Sequence, residues 1–378
     1  MSNTIGVVMF VGLAVVAGQP ARPHPTFDTV VRLETTSEDS ANVSMGDLDG
    51  DGDLDLVLAK GRHTPLLDRV LINDGKGGFT ASDLGPTADR TYTAALVDAD
   101  GDGDLDVLTS NDTPDEKLVY LNDGKGRFTV AGTWGAGAWS TRNAAMADLN
   151  GDGRPDVIAA NRPGPSFVCL NQGGGRFAAD CIPIPADSAT SIVPADFDRD
   201  GFVDLAVPSR DGGQSHLYFN DGTAGFARRM PFGPPDAAAR AAAAADFDSD
   251  GDVDLAIGDE RAASMVVYLN DGKGGLAAGF RIADNERTPY AIAAGDLNWR
   301  RPRRHRARLH GGSALHLLQR WGGAAFHRSP PRRHGGFGLR IRARRRQRRW
   351  PDRHRPGQVW CPQRALPRSS EVARSTGR

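Results

Sequence analysis

The residues that could do chemistry in this chain are aspartates, and they come in groups. Asp47 to Asp55 reads Asp-Leu-Asp-Gly-Asp-Gly-Asp-Leu-Asp, with Gly52 at its sixth position and an apolar run, Leu56-Val57-Leu58, directly after it. Side-chain oxygens at alternate positions of a short loop can wrap one hard cation; position 7 can add a backbone carbonyl, and glycine permits the tight bend. The candidate ligands at positions 1, 3, 5 and 9 are Asp47, Asp49, Asp51 and Asp55, and then Asp98, Asp100, Asp102 and Asp106. Further copies supply Asp148, Asn150, Asp152 and Asp156, then Asp196, Asp198, Asp200 and Asp204, and last Asp246, Asp248, Asp250 and Asp254. Position 7 is Asp53, Asp104, Arg154, Phe202 or Asp252, the indifference to side chain expected where a carbonyl is the ligand. Ca²⁺ suits an all-protein oxygen cage of this size better than Mg²⁺, which keeps its waters. Crowded carboxylates repel one another, so the metal-free fold should be the weaker one.

Other chemistries find little support. Position 12 of the first loop is Leu58, where an EF-hand needs a bidentate Glu, so that helical motif is excluded. No nucleophile motif, phosphate loop or cysteine metal cluster occurs, and only His63 and His216 fall within the repeats, so the chain is read as non-enzymatic. A catalytic reading would need an acid pair or an arginine cluster on one rim. Arg62 with His63, Arg90, Arg142 and Arg162 are the candidates, and plain surface exposure accounts for them equally well.

The elements that position the loops follow from their period. Complete loops begin at residues 47, 98, 148, 196 and 246, with a sixth opening at Asp296, so the step is close to 50 throughout. A second motif trails each complete copy: Asn73-Asp74-Gly75, Asn122-Asp123-Gly124, Asn171-Gln172-Gly173, Asn220-Asp221-Gly222 and Asn270-Asp271-Gly272. In the second unit, Tyr92 to Val97, Leu105 to Thr109, Lys117 to Leu121 and Arg127 to Val130 read as strands, the last two joined by an Asn-Asp-Gly turn. Four short antiparallel strands per 50 residues predict an all-β fold, a β-propeller of four-stranded blades. First strands rich in alanine, such as Ala94-Ala95 and Ala243-Ala244, suit a crowded axis. Phe27 to Leu33 resembles an outermost strand lacking its own first three and is expected to complete the last blade, removing an exposed edge.

Charge divides the chain. Residues 299–378 hold 23 arginines and no lysine against Asp352 and Glu371, a net of +21, so residues 1–298 carry −22. The literal tail reads as a disordered basic segment that would bind nucleic acid or another polyanion. An alternative fits the period better. If the arginines are CGN codons, a one-nucleotide shift lets residues 317–321 encode Tyr-Phe-Asn-Asp-Gly, and residues 345–355 encode a seventh acidic loop in phase with the others. The tail is therefore expected to be a frameshift product, and the parent design to have seven blades, of which this chain keeps about five complete.

At the front, Ile5 to Ala17 has the length of a signal-peptide core, although Met1-Ser2-Asn3-Thr4 lacks the usual positive charge; it is short for a membrane span. The expected organisation is a signal peptide over 1–19, a linker over 20–26, propeller repeats over 27–298 and the tail over 299–378. Cys169 and Cys181 flank one hairpin and could pair in an oxidising compartment or remain thiols.

The run Gly46 to Asp55 with Leu71-Ile72-Asn73-Asp74-Gly75, and the later copies of both, resembles the FG-GAP and VCBS repeats of integrin alpha subunits and many secreted bacterial proteins. The resemblance covers roughly residues 27–298 and implies a seven-bladed ring with Ca²⁺ between first and second strands. Gln172 in the third hairpin and Leu276 in place of an aromatic depart from the pattern. The resulting expectation is a secreted or cell-surface monomer, a calcium-bound scaffold for an extracellular protein or glycan. The alternatives are the propeller domain of a polysaccharide- or lipid-acting enzyme, and polyanion binding by the tail.

Overall fold

The computed structural model describes residues 31–34, 38–186, 188–261, 264–284, 289–295 and 316–321, and these are all-β. Blade 1 is β1 (Ser40–Gly46), β2 (Asp55–Lys60), β3 (Leu66–Asn73) and β4 (Phe79–Asp89). Blade 2 is β5 (Thr91–Val97), β6 (Asp106–Asn111), β7 (Leu118–Asn122) and β8 (Phe128–Thr133). Blade 3 comprises β9 (Thr141–Ala147), β10 (Asp156–Asn161), β11 (Ser166–Cys169), a small hairpin of β12 (Asn171–Gly173) and β13 (Arg176–Phe177), and β14 (Ile182–Ile184). Blade 4 is β15 (Val193–Ala195), β16 (Asp204–Val207), β17 (Gly213–Phe219) and β18 (Arg228–Ala237). Blade 5 is β19 (Ala239–Ala245), β20 (Asp254–Asp259), β21 (Ser264–Asn270) and β22 (Leu276–Asp284). A sixth sheet begins with β23 (Pro289–Gly295) paired to β24 (His316–Trp321).

Each blade is an antiparallel meander of four paired strands, and the first strands pack on one another in succession, β1 on β5, β5 on β9, β9 on β15, β15 on β19 and β19 on β23. That is a β-propeller, with the first strands around a common axis. The core lies between blades rather than within them. Every residue of β2, β6, β10 and β20 is buried, because a second strand is covered by the blade on either side. Alternate residues point opposite ways. Val57 therefore joins Val107 and Tyr120 of blade 2, while its neighbours Leu56 and Leu58 face Val31 and Leu33. The apolar run after each acidic loop is thus two half-cores, one per neighbour. Ala94 and Ala144 on the inner strands are buried, as crowding at the axis requires.

Three sequence expectations meet the structure here. Cys169 and Cys181 are disulfide-bonded, tying β11 to the segment leading into β14. Val31 and Leu33 pack against blade 1, and among the described residues this stretch forms no strand; Phe27 to Val30 lie outside those residues. The signal peptide, the linker, and the tail apart from β24 also lie outside them, and so does a seventh blade. No helix among the described residues is long and apolar enough to cross a membrane.

Where blade 1 meets blade 2, buried Asp68 accepts the Lys60 amide at 2.7 Å and the Thr91 hydroxyl at 2.9 Å. Burial pushes its carboxyl up to about 7. An unfolded Asp titrates near 4, so between about pH 4 and 7 the unfolded chain has released a proton that the folded chain keeps, and stability falls as pH rises through that window. Asp68→Asn retains an acceptor for Lys60 and removes the charge. It should melt like the parent only near pH 3, where Asp68 is protonated in both states, and should gain on the parent as pH rises, by about 1–3 kcal/mol or several degrees at pH 8; thermal melts at the two pH values check this.

Candidate metal centres

The connection from first to second strand is built in the same way in every blade. In loop 1, Asp47 takes the Gly50 amide on Oδ1 at 2.9 Å and the Gly52 amide on Oδ2 at 3.0 Å, curling the chain around its own carboxylate. The third loop repeats this with Asp148 and the amides of Gly151 and Gly153, at 2.8 and 2.9 Å. Position 5 then accepts the amide of position 7, from Asp53 to Asp51 at 2.8 Å and from Asp104 to Asp102 at 2.9 Å. The turn needs a left-handed residue at position 4 as well as at the glycine of position 6. Position 4 is Gly50, Gly101 and Gly151 in three loops, but Arg199 (φ 62°) and Ser249 (φ 68°) in the other two.

Folding brings carboxylates together. Oxygens of Asp47, Asp49 and Asp55 lie within 4.8 Å of one another, as do those of Asp98, Asp100 and Asp106, of Asp196, Asp198 and Asp204, and of Asp246, Asp248 and Asp250. Asp53, Asp104 and Asp252 at position 7 fall outside these groups. Their side chains lie instead against the hairpin glycines Gly75, Gly124 and Gly272, and Phe202 covers Gly222 in the same manner. A Cβ on Gly222 would come within 2.5 Å of the Phe202 ring and one on Gly272 within 2.8 Å of Asp252. The third residue of the hairpin motif is therefore glycine for space as well as for its positive φ.

Position 9 has a second duty. Asp106 is fully buried and accepts two backbone amides, from Ala99 of its own loop at 2.9 Å and from Asn122 at the end of β7 at 2.8 Å. Asp55, Asp156, Asp204 and Asp254 repeat the pair. The hairpin asparagine then reaches backwards: Asn122 Nδ2 donates to the carbonyl of Leu48 in the preceding blade at 2.8 Å. Asn171 donates likewise to Ala99, Asn220 to Leu149 and Asn270 to Phe197. Local sequence presents this asparagine as a turn former only; its invariance across five copies, where Asp123 gives way to Gln172, is the signal of a longer-range contact.

A family model described as an FG-GAP-like repeat matches residues 47–109, 110–159 and 148–207. Residues 47–207 are FG-GAP-like repeats. Among curated proteins, none matches the chain. Similar solved structures include an Agrocybe aegerita lectin described as recognising non-reducing terminal N-acetylglucosamine, at 20% identity, TM-score 0.49, covering 70% of this chain and 72% of that one. Another is the V. cholerae biofilm matrix protein Bap1, at 20% identity and TM-score 0.46, where 71% of this chain spans only 43% of the other. BBS1N, solved in complex with ARL6DN, aligns at 14% identity and TM-score 0.46 over 69% of this chain and 73% of that one.

The five acidic loops are not electrostatically equal. Loops 1 and 2 hold five carboxylates each, and among the described residues no arginine pairs with them. In loop 3, Asn150 replaces one carboxylate and Arg154 places its own guanidinium on Asp152, at 2.5 Å. Arg228 occupies Asp198 of loop 4 at 2.7 Å, and Arg199 reaches from loop 4 to Asp252 of loop 5 at 2.5 Å. Burial raises the carboxyls of Asp49, Asp100 and Asp248, and lifts Asp106 and Asp156 to about 6 and Asp204 to about 7, against the pull of the amides they accept. Asp196 Oδ1 and Asp198 Oδ1 are buried with no hydrogen-bond partner. A cation would satisfy such oxygens and reverse the cost of charging them, so the donor set fits a hard divalent metal.

Two outcomes follow from this construction. Asn220→Ala removes the side-chain donor shared by the carbonyls of Leu149 and Val203; Leu149 keeps the Ala224 amide while this donor to Val203 is lost, so the change should cost about 1–2 kcal/mol, read as a lower urea midpoint at unchanged m. Ser249→Gly relieves a left-handed residue at no contact cost and should raise the melting temperature by one to a few degrees, about 0.5–1 kcal/mol.

Proposed function

We propose that this chain is a secreted, calcium-stabilised propeller that acts without catalysis, as a scaffold for an extracellular protein or glycan. The observation that carries the reading is the recurrence, in loops 1, 2, 4 and 5, of acidic oxygens that converge within 4.8 Å, two of them buried without a partner in loop 4. Ca²⁺ bound there would supply charge compensation and hold the loops rigid; Asp47, Asp49 and Asp55 and their equivalents would ligate it. The rigid blades would then present variable loops at a fixed spacing. The Cys169–Cys181 disulfide and the apolar run Ile5 to Ala17 support an oxidising, exported setting. The arginine-rich tail is attributed to a frameshift; AGA or AGG codons at its arginines would overturn that attribution.

Scanning and titration calorimetry test the metal. Added Ca²⁺ should raise the melting temperature by several degrees over the EDTA-treated protein, and Mg²⁺ should do less. Loops 1 and 2 should bind tightest, so Asp49→Asn and Asp100→Asn should each remove one tight site, whereas Asp152→Asn in the arginine-bearing third loop should leave the tight-site count unchanged. An unchanged melting temperature with Ca²⁺ would refute the calcium reading.

A further inference from the structure

The opposite end of the propeller carries a second cluster of charge. Pairing of Thr91 with Asn111, Thr141 with Asn161 and Ala239 with Asp259 sets the start of each first strand beside the end of each second strand, away from the acidic loops. Residues far apart in sequence meet there. Arg142 pairs with Asp112 at 2.7 Å and Arg162 with Asp211 at 2.8 Å, while Arg210 and Arg240 share Glu260. Arg62 is a fifth arginine at this end, and among the described residues no ion pair joins it to an acid.

Arg62 is instead held between rings. Its guanidinium carbon lies 5.5 Å from the ring centroid of Tyr92 in blade 2 and 5.5 Å from that of Tyr290 in β23, so one side chain of blade 1 touches two other sheets. The far guanidinia, Arg142 over Tyr92 at 4.4 Å and Arg240 over Tyr290 at 4.0 Å, complete an alternating row. The backbone at Arg62 is left-handed (φ 51°), a conformation that costs a non-glycine residue free energy. The Nε atoms of Arg62, Arg210 and Arg240 are buried without a hydrogen-bond partner, and Arg210 is only 7% exposed. Tyr290 remains 42% exposed, so the row opens to solvent.

We propose that this axial end binds the carboxylate of a terminal acidic sugar, an inference that rests on the glycan reading above and narrows it. An unpaired guanidinium offers two parallel N–H donors to a carboxylate. Flanking tyrosines offer apolar faces to a pyranose ring and hydroxyls to its edges, which a bare inorganic anion would not use. Arg142 and Arg240 lie on the alanine-rich inner strands β9 and β19, so the row sits at the end of the axis, where a chain terminus can dock.

Titration calorimetry on the full chain with Ca²⁺ tests this, using sialyllactose against lactose and digalacturonate against its methyl ester. The acidic member of at least one pair should bind at least tenfold tighter than its neutral match. Arg62→Gly, which suits the left-handed backbone and so should fold, should abolish that preference; Arg261→Gln, at a surface ion pair with Asp236, should not. Equal binding of acidic and neutral sugars, or an Arg62→Gly variant with the preference intact, overturns the axial site and leaves the glycan reading standing. Failure of every sugar to bind overturns both, and a glutamate-rich peptide bound as tightly as the acidic sugar overturns the saccharide assignment.

Discussion

A buried aspartate that accepts two backbone amides holds each blade to itself, and the asparagine beside it holds the blade to its neighbour. Asp106, Asp156, Asp204 and Asp254 each join the start of an acidic loop to the end of the third strand. The asparagine whose amide is accepted donates its own side chain to the previous blade's loop. A buried carboxylate is costly unless its oxygens are satisfied, and here the donors are backbone groups that would otherwise be orphaned at a turn. One hydrogen-bonded relay thus fixes the shape of the loop, the length of the hairpin and the packing of consecutive blades.

The relay also explains why the interior takes the form it does. Because blades are registered against each other at the loop end, second strands sit between two sheets and are buried along their whole length. Hydrophobic contact is then made across blade interfaces, Val57 with Val107, Ile158 with Leu205, and Ala206 with Leu255. Charge is driven to the two ends of the axis. One end gathers the acidic loops, where repulsion and burial favour a divalent cation; the other gathers tyrosines and arginines, most of the arginines paired with acids.

Much of this was legible in the residues themselves. The 50-residue step, the Asn-Asp-Gly turns and the alternation around them placed every end of the four strands of blade 2 within three residues of Thr91–Val97, Asp106–Asn111, Leu118–Asn122 and Phe128–Thr133. Of the expected ligands, positions 1, 3 and 9 come together in loops 1, 2 and 4 while Asp51, Asp102 and Asp200 at position 5 fall outside those groups, and loop 5 gathers Asp246, Asp248 and Asp250 without Asp254. Position 7 was harder to read. Its tolerance of Asp, Arg and Phe pointed to a carbonyl, but its side chain also covers the hairpin glycine, a contact between segments some 20 residues apart that no local pattern encodes.

Local spacing therefore determined the blade, because turn geometry, strand period and loop curvature act over a few residues. What only the tertiary structure decided are relations between blades. Arg62, Arg142 and Arg162 were visible as scattered surface positions, and became one cluster because antiparallel pairing turns every first-strand start and second-strand end toward the same end of the axis. Arg90, named with them, pairs instead with Asp115 at 2.8 Å. Which loops keep their negative charge was decided in the same way, by arginines such as Arg228 and Arg199 that arrive from another strand or another blade. Charge is long-ranged and chain order is not a measure of distance, so the electrostatics of these sites exist only once the ring of sheets is assembled.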